Sequence, residues 1–68
     1  MDKITSEYRV VMKDGFVEEL TAYSAIDAVL TAQHRAIRDG RPWAALTVIN
    51  VTLGVSYRVV NIALREDV

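Results

Sequence analysis

The stretch SAIDAVLTAQHRAIRDG, residues 24–40, decides the fold. It carries the one sustained helical period in the chain. Ser24 is placed to cap the first turn, and Asp27 three residues on is the acidic partner of a capping box. Gly40 suits the left-handed position that ends a helix, and Pro42 stops any continuation. At 100° per residue, Ile26, Leu30 and Ile37 fall on one side, flanked by Ala25, Val29, Ala32 and Ala36. Asp27, Thr31, His34, Arg35 and Arg38 fall on the other. The expectation is a helix that buries Ile26, Leu30 and Ile37, with Gln33 an anomaly in the middle of the apolar stripe. About 15 residues give a helix of about 22 Å, long enough to cross a small sheet.

The segment before the helix, YRVVMKDGFVEELTAY (8–23), is two β-prone runs around Asp14-Gly15, a hairpin signal. A two-residue turn sets Lys13 opposite Phe16 and mixes both faces. A three-residue loop, Lys13-Asp14-Gly15 with Gly15 left-handed, pairs Met12 with Phe16. Tyr8, Val10, Met12, Phe16, Leu20 and Ala22 then share one face, with only Glu18 out of place, and Arg9 lies across from Glu19 on the other. A one-residue slip would flip every side chain, so the sorting selects the longer loop.

After the Arg41-Pro42-Trp43 connector come ALTVINVT (45–52) and VSYRVVNIALR (55–65), separated around Leu53-Gly54 and rich in β-branched residues. The order is ββαββ. It predicts a single α+β domain over 1–68, one helix on a four-stranded antiparallel sheet, with frayed ends at 1–6 and 66–68. Ala45, Thr47, Ile49 and Val51 alternate with Leu46, Val48 and Asn50. Val55, Tyr57 and Val59 alternate with Val60, Ile62 and Leu64. Both faces of this second hairpin are apolar, and one helix covers only one of them.

Composition narrows the function by exclusion. The chain has 68 residues, 51% hydrophobic and 25% charged, with no cysteine. A domain of this size buries only about 60% of its unfolded surface, so self-association is an expected route to stability. Thiolate metal sites and disulfides are excluded. The formal charge of −1, from eight basic and nine acidic residues, gives no global attraction to nucleic acid or an anionic membrane. MDKITSEY has no apolar signal core, and no run approaches the roughly 20 residues that span a bilayer, so a cytoplasmic location is expected.

Chemistry-bearing patterns are sparse. No nucleophile elbow, zinc-binding His pair or phosphate loop is present. His34 stands seven residues from Asp27, about 10 Å along a helix, too far to make a base and its orienter. Glu18-Glu19 point to opposite faces of a strand, and Glu66-Asp67 lie at the end. The expectation is no catalytic residue, no metal and no cofactor. Arg35, Arg38 and Arg41 beside Trp43 form the one basic cluster, with residue types used for phosphate contact and base stacking. Cations there also offset the negative end of the helix dipole.

Ala22-Tyr23-Ser24-Ala25-Ile26-Asp27-Ala28, following a glycine hairpin, is similar to the βα start of many small bacterial and phage proteins. In size and lack of motifs the chain resembles small phage-encoded inhibitors, including some anti-CRISPR proteins, which implies a modulator of a larger complex. Dodecin-like flavin proteins have a similar length and β-α-β-β order, but this chain departs from them by opening with a hairpin. The expected function is a non-enzymatic protein–protein interaction module, a homodimer or partner-bound, using a sheet face and Trp43, Val48, Tyr57 and Val59. The alternatives are nucleic-acid binding through Arg35, Arg38, Arg41 and Trp43, and an oligomer holding a small ligand.

Overall fold

A computed structural model describes the backbone at residues 4–60 and 63–66 and the side chains at 4–60. The elements are β1 (Ser6–Met12), β2 (Val17–Ala22), α1 (Ala25–Arg38), β3 (Ala45–Asn50), β4 (Val55–Val60) and β5 (Ala63–Glu66). The ββαββ order is as expected, with a short fifth strand after it. All strands join one antiparallel sheet in the order β2-β1-β3-β4-β5, and α1 packs over β1, β2 and β3. Residues 55–65, expected as one strand, are divided: β5 pairs back on β4 with Val60 opposite Ala63. Ser6 and Glu66, expected to fray, are strand residues. The rest of the fraying expected at 1–3 and 67–68, and the facing expected for Ile62, lie outside the described residues.

The first hairpin has the register that its side-chain sorting selects. Arg9 pairs with Glu19 and Tyr8 with Leu20. The Met12 N–H donates to the Phe16 carbonyl at 2.8 Å, and Gly15, at φ 93°, donates to the Met12 carbonyl. Asp14 closes the turn by accepting from the Phe16 N–H at 3.0 Å. Tyr8, Val10, Met12 and Ala22 are buried on the helix side. Glu18, the residue out of place on that face, is met from above by Arg35 at 3.2 Å. The acid that disturbs the strand pattern thus fixes one side of the helix.

The second hairpin departs from simple alternation. Between Val11 and Met12 the β1–β3 register shifts, so Val11 faces Thr47 but Met12 faces Ala45, leaving Leu46 as an extra residue. Ala45 therefore joins Val48 and Asn50 among the buried residues, although strict alternation groups it with Thr47 and Ile49. Asn50 is the one buried polar side chain among the described residues, and it is satisfied. Its amide donates to the Tyr8 hydroxyl at 3.3 Å and its carbonyl accepts from the Leu53 N–H at 2.9 Å.

The helix caps match the sequence reading. Ser24 Oγ accepts from the Asp27 N–H at 3.1 Å, and the Asp27 carboxylate accepts from the Tyr23 N–H at 3.2 Å, a capping box displaced outward by one residue. At the other end Arg41 donates to the Ala36 carbonyl and Gly40, at φ 70°, to that of Ile37. That is the paired closure of a Schellman motif, and it requires the left-handed glycine.

The rotation of the helix about its own axis overturns the expectation. Its buried residues are Ala28, Val29, Ala32 and Ala36. Ile26, Leu30 and Ile37, expected as the core face, are 55%, 50% and 58% exposed. Volume explains the reversal. The sheet beneath contributes Tyr8, Val10, Met12 and Val48, with Leu20 partly buried beside them. Large side chains rising from the floor are matched by small ones above, at the close-packed density of protein interiors. The alanine side fits; the isoleucine side would overfill the layer.

Candidate protein-interaction surface

Ile26, Leu30, Gln33 and Ile37 follow one another at spacings of four, three and four along α1. That spacing keeps four side chains in one row, as in the seam of a coiled coil. The row is turned away from β2, because Arg35 on the opposite flank of the buried stripe reaches Glu18 of β2. Toward the other flank, Gln33 lines an open depression of about 210 Å³ with Lys13, Trp43, Ala44, Ala45 and Val59. The helix row and the connector tryptophan thus border one region.

Trp43 is 57% exposed. The connector that carries it is fixed at both ends. The Arg41 N–H is bonded to the Ala36 carbonyl, and the Ala44 carbonyl accepts from the Lys13 N–H, each at 2.8 Å. The Arg41 guanidinium also lies over the Phe16 ring, 3.7 Å from its centroid. A large indole held outward on a fixed connector loses little freedom when it is covered.

The other residues expected at a partner surface are distributed differently. Val48 is fully buried in the core and presents nothing to a partner. Tyr57 and Val59 are half-buried and pack against the core from its edge, on the helix side of the sheet. The opposite sheet face, expected to be surplus apolar surface, carries Val11, Val17, Ile49 and Val60 together with Arg9, Glu19, Thr47, Ser56 and Arg58. It is a mixed face with half-exposed Val17 at its margin. A second set of exposed apolar residues, not expected from the sequence, lies on the helix. Its signal in the sequence is the row of large residues beside a row of alanines: both are apolar, and only one can lie at the layer.

The basic cluster is partly neutralised locally. Arg35 pairs with Glu18, and Asp39 accepts from both Arg38 at 3.2 Å and Arg41 at 3.3 Å. The hydrogen bond from Arg38, then that from Arg41, holds the Asp39 carboxyl below the usual range. Arg35 points to β2, on the flank away from Trp43, and Arg38 and Arg41 share the carboxylate of Asp39, so the cluster is dispersed and its field on a phosphate reduced. His34 is exposed on the helix. Among the described residues, no three His, Asp or Glu side chains are grouped to hold a metal ion, and no helix is long and apolar enough to cross a membrane.

No family model matches the chain, and neither the curated proteins nor the solved structures hold a match to it.

Proposed function

We propose that this protein is a non-catalytic protein–protein interaction module that docks through the exposed row of α1 and the adjoining Trp43. The observation that supports this is the exposure of Ile26, Leu30 and Ile37, each half or more in water, on a helix whose buried side is almost entirely alanine. Isolated exposed aliphatics are ordinary; a row of three on one helix, with a half-exposed tryptophan across the depression that Gln33 lines, is a larger apolar surface than chance exposure gives. Trp43 has the residue type and the fixed setting of an interface anchor. A rim of Arg38, His34 and Thr31 gives the patch the polar border usual in interfaces.

The test uses the tagged chain and its Leu30→Asp variant as baits in source cells, with nuclease treatment. The expected result is a polypeptide recovered in stoichiometric amount with the parent chain, whether another protein or untagged copies of itself, and lost with Leu30→Asp. Recovery unaffected by Leu30→Asp, or recovery of nucleic acid alone, overturns the reading.

A further inference from the structure

We infer that the occupant of the α1 row is a second copy of this chain, its helix lying antiparallel to the first across a two-fold axis near residues 31 and 32. The inference rests on the proposed docking surface and adds its partner and orientation.

Three observations carry it. The first is the spacing. Ile26, Leu30, Gln33 and Ile37 alternate as the two inward positions of a heptad over the length of α1, which suits another helix better than an extended segment. About the stated axis, Ile26 of one chain meets Ile37 of the other and Leu30 meets Gln33. The ends are closed by isoleucine pairs. The two Gln33 residues lie about 4.5 Å apart along the axis, where each amide has a polar counterpart. Gln33 thus packs beside the partner's Leu30 while its amide reaches the partner's Gln33 amide, so it is not left among aliphatic groups alone.

The second is charge. Asp27 stands in the first turn, while Arg38 and Arg41 share the single carboxylate of Asp39 at the other end, leaving a surplus cation there. Antiparallel pairing brings each Asp27 toward the partner's cationic end and opposes the two helix dipoles. Parallel pairing sets like ends together.

The third is area. The exposed parts of Ile26, Leu30, Ile37 and Trp43 amount to on the order of 400 Å², and the stems of Gln33, His34 and Arg38 extend it toward the roughly 800 Å² per partner of a stable interface. The row keeps half or more of its surface in water, and the core it leaves behind is half alanine: five of the ten buried hydrophobic residues among those described. A domain with so little large apolar volume inside gains most by covering what it holds outside.

Sedimentation equilibrium on the purified chain, from micromolar to several hundred micromolar, tests the stoichiometry. The expected mass is twice 7.6 kDa. Leu30→Asp and, separately, Leu30→Lys are expected to weaken association by roughly a hundredfold or more while leaving the circular dichroism of the dilute chain unchanged. The absence of cysteine makes orientation readable. Ile26→Cys mixed with Ile37→Cys is expected to cross-link as the mixed pair faster than either variant does with itself. Three results overturn the inference: a parent chain that stays monomeric, a dimer that survives both Leu30 variants, or self-cross-linking that outpaces the mixed pair. A monomer whose Leu30-dependent protein partner is nonetheless recovered in the bait experiment ends the second-copy inference and leaves the interaction module standing.

Discussion

The two sides of α1 are built from the same class of residue and meet opposite fates. Ala28, Ala32 and Ala36 are nearly or wholly inaccessible, whereas Ile26, Leu30 and Ile37 remain half or more in water. Transfer energetics alone would place them the other way, since a large aliphatic gains roughly 1.5–3 kcal/mol on full burial and alanine much less. The sheet decides instead. Its Tyr8, Val10, Met12 and Val48 fill the layer from below, and the pair formed by Arg35 with Glu18 ties down the flank toward β2. Hydrophobicity selects an apolar arc on a helix; the volume already present opposite selects which part of the arc is docked.

Substitutions on the two sides should separate cleanly. Ala36→Leu adds volume at a fully buried position and is expected to cost about 1–3 kcal/mol in denaturant unfolding of the dilute chain. A neutral result there would mean that the alanine side has slack and that volume matching is not what turned the helix. Ser24→Ala removes the acceptor of the Asp27 N–H and is expected to cost about 1 kcal/mol, which tests how far the first turn holds the helix in place. Leu30→Ala, on the wet side, is expected to change the stability of the dilute chain by less than about 0.5 kcal/mol. A loss of 2 kcal/mol or so would place Leu30 in the core and reverse the comparison.

The smallest effect concerns Asp39 beyond the end of the helix. Its carboxyl is held below the usual range by Arg38 first and Arg41 second. A depressed folded-state pKa contributes stability above the unfolded pKa, and that contribution is lost as pH falls through the folded value. Thermal unfolding of the parent chain and Asp39→Asn should therefore differ slightly at neutral pH, and the difference should shrink below about pH 4.

Much of this architecture is legible in the residue order. Gly15 with the sorting of Tyr8 through Ala22 specifies the first hairpin to the register. Ser24, Asp27 and Gly40 mark the helix ends. The failures have physical causes. The rotation of α1 depends on residues of three other strands, so a helix read alone shows the apolar arc and not its docked part. The bulge opposite Met12 inserts Leu46 without a glycine or proline to announce it, and period-two reading then assigns Ala45 to the wrong companions. Val60-Asn61-Ile62-Ala63 likewise holds no glycine or proline, and a continuous β-prone run reads as one strand. The surface row is hidden in the sequence for the same reason as the rotation: an apolar arc on a helix does not show which of its residues stay in water. The exposure of Trp43 agrees with its place in the connector after Pro42, although a single Trp in a small domain also suits the helix–sheet seam.

The buried amide of Asn50 has a further consequence in time. Asn50 binds the hydroxyl of Tyr8, 42 residues earlier, and the same corner is joined by the Val51 N–H to the Glu7 carbonyl and the Glu7 N–H to Thr52 Oγ1. β1, an interior strand of the sheet, thus has one neighbour, β2, beside it in sequence, while its second neighbour, β3, comes after the helix. A lone two-stranded hairpin is marginal in water, and pairings so distant along the chain are slow to close. The pairing of β1 with β3 is therefore expected to close after the first hairpin and the helix, which already hold eight of the ten buried hydrophobic residues among those described.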